Sequence, residues 1–378
     1  MSKLRIAILS YRSAPFGGGQ GVYIKDISHA LSIMGHKIDV ISGPPYPNLA
    51  KQVKLIKLPG LDLFQTFLFK ERLKIFFSKK NKKVIDYYEF LSTLLGGFPE
   101  MRTFGFRAKN HLKNNDYDII IDNQSLSYGV LDLQKENPLI EIVHHPITKD
   151  YEHELETNNK FLYKLSRHRW YSFLKMQKKV APKLQTIVTP SINSLKDIAA
   201  DFHCDPKKIT VINNGLDVDI FIPHNNIERR KFRLITTASA DVPLKGLDYS
   251  LMALNDLKDE YPNIELIVIG KIKKDGHTSK LIKKLGIKDS IKFKTNLSKE
   301  EIAKEYAKSS ISIVSSLYEG FGYPVIEAMS CAVPLVAANT SSIPELVGDY
   351  ATLIPAKSSV ELAESIKDIF SDYLKYKN

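Results

Sequence analysis

The chain has 378 residues, 43% of them hydrophobic, and carries 54 Lys and Arg against 42 Asp and Glu, for a net charge of +12. That length and apolar content exclude a wholly disordered chain and predict two domains. The basic balance predicts an anionic partner: nucleic acid, a phosphorylated ligand or an acidic membrane surface.

In chain order, Ile6–Leu9 reads as a short buried strand, followed by the turn Gly17-Gly18-Gly19-Gln20-Gly21. Residues 22–34 then show helical spacing through Val22, Ile27, Ala30, Leu31 and Met34, with Gly35 as the stop. Strands are expected at Lys37–Ser42, Ile119–Asp122 and Ile140–His144. The same grammar restarts with a strand at Phe232–Ala238 and a helix at Leu247–Asp259. Strands at Glu265–Gly270, Ile291–Phe293, Ile311–Ser315 and Pro334–Ala338 follow. Buried strands alternating with helices predict parallel sheets covered on both faces, with ligands at the carboxyl ends of the strands. The Asn-rich segment 213–226 reads as the seam. The expected domains are 1–220 and 221–361, with a C-terminal helix over 362–378 returning to the first.

The N-terminal apolar run lacks a signal-peptide pattern, and no stretch reaches the roughly 18–20 apolar residues of a membrane span. A cytoplasmic protein is expected, meeting any membrane at its inner face and from the side. Cys204 and Cys331 are too few for a disulfide framework or a cysteine-rich zinc site. Two basic stretches stand out. Residues 61–83 hold five Phe and seven Lys or Arg against two acids, and residues 157–196 hold no acid. One reading is contact with acidic lipid through 61–83 and 157–183. The other is an ordinary amphipathic helix, Phe inward and Lys outward.

The richest segment is SLYEGFGYPVIEAMSCAVPLVAANTSSIPELVGD, residues 316–349. Glu319 and Glu327 flank Gly320, Phe321, Gly322, Tyr323, Pro324 and Val325. The glycines allow a tight turn, and Pro324 suits the first turn of a helix. Glu319 is then on a loop at a strand end, and Glu327 in the first turns of a helix. Free N–H groups at that helix start favour an anion. A carboxylate there can accept two hydrogen bonds from a vicinal diol such as a ribose.

This segment resembles the signature of the family-4 retaining glycosyltransferases, the group 1 superfamily of GT-B fold. The match E-G-F-G-Y-P-V-I-E-A-M continues through C-A-V-P-L-V-A and I-P-E-L-V-G-D, with Ala332 where the family usually has Gly. Residues 17–43, 209–223 and 236–254 extend it. The resemblance implies an α/β protein of two Rossmann-like doubly wound domains facing across a cleft. It implies that Glu319 faces the donor sugar, that residues Gly320 to Val325 hold phosphate and sugar oxygens, and that Glu327 binds the nucleotide ribose. Lys245 would pair with the diphosphate, and Gly18 and Gly19 would let the first loop approach it. His144, or its neighbour His145, would lie near the reacting face of the sugar. It also implies retention of configuration, no metal and no cofactor beyond the nucleotide-sugar substrate, with a saccharide or lipid-linked acceptor in bacterial envelope synthesis. Whether the nucleotide is UDP or GDP stays open.

Two features depart from a simple transfer of roles. Ala240 stands where the family usually carries an Arg, so one phosphate contact is either missing or supplied from elsewhere, with Lys271, Lys273 and Arg12 as candidates. Asp217-Val218-Asp219 has the D-x-D form of metal-dependent transferases but lies in the seam, and is read as unrelated to metal. The competing functions are a GT-B nucleotide-sugar epimerase and a non-catalytic basic protein binding acidic lipid or RNA. No RNA-binding motif is present, and nucleic acid is not expected as a partner.

Overall fold

The computed structural model describes residues 3–14, 19–113, 115–157 and 159–372. The chain divides into two compact units, residues 1–189 with 195–212, and residues 190–194 with 213–378.

The first unit is built on seven strands: β1 (Arg5–Ser10), β2 (Lys37–Ser42), β3 (Lys54–Lys57), β4 (Ile119–Asn123), β5 (Leu139–Ile142), β6 (Ile187–Thr189) and β7 (Ile209–Val211). Their order is β3-β2-β1-β4-β5-β6-β7 and every pairing is parallel. Alternate residues of β1 feed opposite faces: Ala7 and Leu9 enter one core with Met101, Phe104 and Val130, whereas Ile6 and Ile8 enter another with Ile24 and Val40. That is why the strand reads as an unbroken apolar run.

The second unit has six strands: β8 (Arg230–Thr237), β9 (Glu265–Ile269), β10 (Ile291–Lys294), β11 (Ser309–Val314), β12 (Leu335–Ala338) and β13 (Thr352–Ile354). Their order is β10-β9-β8-β11-β12-β13, again all parallel. Leu234 and Ile235, consecutive on β8, enter two separate cores. Each sheet therefore reverses its strand order once, between β1 and β4 and between β8 and β11. The carboxyl ends of those strands are where such sheets hold ligands.

The units part at 212/213, at the start of the Asn-rich segment 213–226 expected as the seam, because β7 ends at Val211 and completes the first sheet. One domain expectation is corrected: the described part of the C-terminal helix does not return to the first unit. Helix Ser359–Ser371 packs on the second through Leu362, Ile366 and Phe370, against Leu251 and Leu254. Phe370 also meets Phe232 edge-on, with ring centroids 5.0 Å apart. Each such buried side chain contributes roughly 1.5–3 kcal/mol relative to exposure. Residues 373–378 of that expected helix lie outside the described residues.

Among the described residues, no helix is long and apolar enough to cross a membrane. Cys204 and Cys331 are free and buried.

Candidate active site

In the second unit, the loops leaving β8 and β11 meet at the strand-order reversal. Gly246 closes the first loop at φ +59°, and a Cβ there would sit 1.9 Å from the Ser315 carbonyl oxygen. Only glycine permits that approach. Leu317 N–H donates to the Leu244 carbonyl at 2.7 Å, fastening the loops together. The consequence is that Lys245 Nζ donates to Glu319 Oε1 at 2.7 Å.

Glu319 is held on several sides. Ser316 Oγ donates to the same carboxylate oxygen at 2.7 Å. The Glu319 N–H donates to Ser341 Oγ at 2.8 Å. Ser342 Oγ donates to the carbonyls of Glu319 and Phe321, at 2.9 and 2.6 Å. The Glu319 side chain is 8% exposed and that of Lys245 32%. The ammonium is thus the half-open member of the pair, the one an incoming anion can reach.

Gly322, at φ +111°, precedes helix Tyr323–Ser330, and Pro324 lies in its first turn. The Val325 N–H donates to the Gly322 carbonyl at 3.0 Å, so this amide is engaged within the turn. The ring of Tyr323 meets buried Phe321 edge-on at 5.6 Å. Glu327 is the fifth residue of the helix. Its Oε2 accepts from the Tyr306 hydroxyl at 3.1 Å, and Thr237 Oγ1 lies 3.0 Å from that same hydroxyl. Burial pushes the Glu327 carboxyl up to about 7, against the opposing effects of the Tyr306 hydrogen bond and the Lys299 charge. The sequence offered no pattern for Tyr306. It is the one large aromatic in helix Lys299–Ala307 and is fully buried.

Ala240 lies in the core, 5% exposed, beside Leu247 and Leu251. The next residue, Asp241, adopts φ +61° and accepts from the N–H groups of Lys273 and Thr278, at 3.2 and 2.9 Å. Of the three cations considered as substitutes for the missing Arg, Lys273 is the one whose backbone is joined to this loop. Arg12 belongs to the first unit, where its Nη1 pairs with Glu100 Oε2 at 2.8 Å. Lys271 is exposed. Asp217 accepts the Asp219 N–H at 3.3 Å, so its side chain closes its own turn.

In the first unit, His144 lies two residues beyond β5, not within the strand as expected. Its N–H donates to Gln124 Oε1 at 3.0 Å, and Gln124 Nε2 donates to the His145 carbonyl at 2.8 Å. Its Nε2 lies 2.8 Å from Asn123 Oδ1, which fixes the hydrogen on Nε2. Tyr23 packs edge-on against the imidazole at 4.7 Å. Burial, with the neighbouring His145 adding to it, lowers His144 to about 3, so the ring is neutral at physiological pH. His145 pairs with Asp150 at 2.8 Å. Of the expected glycines, Gly18 lies outside the described residues. Gly19 begins helix Gly19–Ile33, and a Cβ there would meet nothing within 4 Å. The glycine that close packing requires is Gly21, whose Cβ would lie 2.0 Å from the Ala14 carbonyl oxygen.

Comparison with known proteins gives concordant matches. Residues 17–220 match the family description "Glycosyltransferase Family 4", and residues 220–378 match "Glycosyl transferases group 1". The chain is 41% identical over 349 residues to the MMP alpha-(1->4)-mannosyltransferase of Mycolicibacterium hassiacum, covering 91% of this chain and 83% of that one. It is 27% identical over 399 residues to a probable sucrose-phosphate synthase of Thermosipho melanesiensis, covering 94% and 84%. The solved sucrose-phosphate synthase of Thermosynechococcus elongatus superposes with a TM-score of 0.75 at 18% identity, over 99% of this chain and 92% of that one. The seven- and six-stranded parallel sheets, the loop constellation around Glu319 and these matches agree: the chain belongs to glycosyltransferase family 4 and is a glycosyltransferase of GT-B fold.

Proposed function

We propose that this enzyme is a retaining, metal-independent hexosyltransferase. It moves a sugar from a UDP- or GDP-linked donor to a hydroxyl of a saccharide or lipid-linked acceptor in bacterial envelope polysaccharide or glycolipid synthesis. The observation that carries the reading is the Lys245–Glu319 pair at the β8/β11 reversal, held by Ser316. A diphosphate reaching Lys245 replaces Glu319 as the partner of the ammonium, and Glu319 is released to the hydroxyls of the sugar. The bond from the anomeric carbon to the diphosphate oxygen breaks, and the nucleoside diphosphate leaves with the electron pair. The acceptor oxygen bonds to the same face, and its proton passes to a leaving-group oxygen. Lys245 and the helix start at Tyr323 stabilise the charge that builds on the diphosphate. Glu327 accepts the ribose diol. His144, neutral and fixed by Asn123 and Gln124, positions substrate and is no general base. The 41% identical relative is a mannosyltransferase, which makes mannose the first sugar to test.

The test is nucleotide release from a panel of UDP- and GDP-sugars, with EDTA present and with Glu319→Ala alongside. Acceptor-dependent release of one nucleotide by the wild type alone supports the reading. Loss of release on chelation overturns metal independence. Release that turns over without acceptor supports the epimerase.

The membrane contact belongs to the same proposal. Phe76 is buried, as the amphipathic-helix reading requires, but Phe67, Phe69 and Phe77 are 60–74% exposed and Phe161 and Leu162 are 77% and 76% exposed. Lysines flank both groups. That combination suits an acidic lipid surface at the cytoplasmic face of the membrane. Binding to phosphatidylglycerol vesicles that weakens with salt and with Phe161→Ser supports it. Equal sedimentation with neutral vesicles overturns it.

A further inference from the structure

A cavity of about 470 Å³ lies beyond the carboxyl end of β1, at the strand-order reversal of the first sheet. Gly19 of the first loop is among its lining residues, whereas Lys245, Glu319 and Glu327 are not. Its walls include Tyr11, Arg12, Gln20, Phe64, Phe98 and Trp170. The volume falls within the range of sites that take small molecules.

The aromatic wall is preassembled. Phe64 and Phe98 have ring centroids 4.7 Å apart, Phe98 and Trp170 5.2 Å, and Phe64 and Trp170 5.1 Å at 83°. Each of the three is half-buried, so each keeps ring area for a ligand while its neighbours fix its orientation. The polar lining carries no unspent charge. Arg12, the cation lining the cavity, is paired to Glu100 at 2.8 Å. The buried Tyr11 hydroxyl bonds to the Gln20 side chain.

We propose that this cavity is the acceptor site and that it takes a neutral saccharide, with the C–H face of a pyranose ring stacked on Phe64, Phe98 and Trp170 and its hydroxyls on Arg12 and Gln20. The assignment as an acceptor site rests on the transferase reading above. A pyranose presents an apolar face to the negative face of an aromatic ring and neutral hydroxyls at its rim. An anionic acceptor would have to draw Arg12 from Glu100, whose side chain is 9% exposed, and leave that carboxylate without its cation.

Trp170 is the sole tryptophan of the chain, so its emission reports on this cavity without labelling. The experiment titrates the protein with neutral α-linked manno-oligosaccharides of one to four sugars, and separately with mannose 6-phosphate. The expected result is a saturable change in emission with the neutral sugars, no tighter with the phosphate, and retained in Glu319→Ala. Phe64→Ala and Phe98→Ala, each checked for a native melting curve, should raise the half-saturation about tenfold or more, the loss typical of an aromatic anchor. Wild-type protein that transfers sugar with no response of Trp170, and with acceptor KM unchanged in both variants, overturns the cavity alone. Tighter binding of mannose 6-phosphate overturns the neutral class. A saturable Trp170 response in a protein that transfers no sugar from any donor overturns the transferase reading and leaves a saccharide site.

Discussion

Lys245 Nζ and Glu319 Oε1 lie 2.7 Å apart although 74 residues separate them in sequence. On the proposed reading, the cation that would meet the diphosphate is, before a donor arrives, spent on the carboxylate that would meet the sugar. The two single variants should then diverge. Glu319→Gln removes the competing charge yet still accepts from Ser316. Affinity for the nucleoside diphosphate should hold or rise up to about tenfold, while kcat falls about 10²-fold or more. Lys245→Ala should weaken nucleotide binding about tenfold or more. Calorimetry with UDP and GDP, beside single-turnover transfer, separates the two. Parallel loss of nucleotide affinity in both variants would mean the pair is only structural.

The Glu327 carboxyl gives a pH dependence of known sign. Its fold-state pKa is raised to about 7 from 4.5 because burial disfavours the charged form. A vicinal diol is best accepted by the ionised carboxylate. Donor affinity should therefore rise with pH through about 7 and fall below it by up to about tenfold per unit. Stability runs the other way: the contribution of the protonated group is complete below about 4.5 and is lost as pH rises to about 7. Glu327→Gln should flatten both curves. Tyr306→Phe, which deletes the hydrogen bond that favours the charged form, should move the midpoint of donor binding upward. Donor affinity independent of pH in the wild type would count against Glu327 as the diol acceptor.

The sequence made the two series of parallel strands legible, because buried strands such as β1 and β12 carry unbroken apolar runs, Ile6–Leu9 and Leu335–Ala338, between turn residues. Glu319, Gly322, Pro324 and Glu327 were legible because spacing and turn chemistry act locally. Contacts between distant segments were not. Nothing in the spacing pairs Lys245 with Glu319, or sets Tyr306 against Glu327. The C-terminal helix was misplaced because its apolar stripe, Leu362, Ile366 and Phe370, would fit any apolar face. β7 was missed because three residues in an Asn-rich setting carry too little periodicity.

Gly246 and Gly286 offer a matched comparison. Both are left-handed, at φ +59° and +65°, but a Cβ at Gly246 would strike the Ser315 carbonyl oxygen at 1.9 Å and one at Gly286 would meet nothing within 4 Å. Gly286→Ala should cost about 1 kcal/mol from backbone strain alone. Gly246→Ala adds a clash with backbone that cannot move aside, for a total of about 2–4 kcal/mol, and separates Lys245 from Glu319. Denaturant melts should rank the two variants in that order, with transfer lost in Gly246→Ala and kept in Gly286→Ala. Equal losses would mean that the approach of Gly246 to Ser315 is not what fixes the loop.

Beneath His144, Asp122 and Glu141 face each other across β4 and β5, both 0% exposed, in directly paired register. Their carboxyls hydrogen-bond to one another, and Asp122 Oδ1 and Glu141 Oε2 find no other donor among the described residues. Two buried carboxylates cannot both be charged, so the pair holds a proton, with Glu141 pushed well above the ordinary carboxylate range by burial and then by Asp122. The outer oxygens grip the turn that carries Gln124. Asp122 Oδ2 accepts from Ser125 N and Oγ at 2.9 and 2.7 Å, and Glu141 Oε1 accepts from Leu126 N at 3.3 Å. Gln124 and Leu126 sit at φ +59° and +46°, a conformation worth about 1–3 kcal/mol of strain each, and the turn is held there by these bonds. Asp122→Asn keeps an acceptor for Ser125 and supplies a permanent donor to Glu141. It should fold as well as wild type near neutral pH and better at alkaline pH, where the native pair retains a proton that the unfolded chain releases. Asp122→Ala leaves the Ser125 N–H unpaired and its hydroxyl with the 3.2 Å bond to Ser127 Oγ, and should cost about 2–4 kcal/mol, with kcat falling as Gln124 loses its hold on His144. Melting curves across neutral to alkaline pH decide the matter. An Asp122→Asn protein as unstable as Asp122→Ala at every pH would show that the pair carries no shared proton.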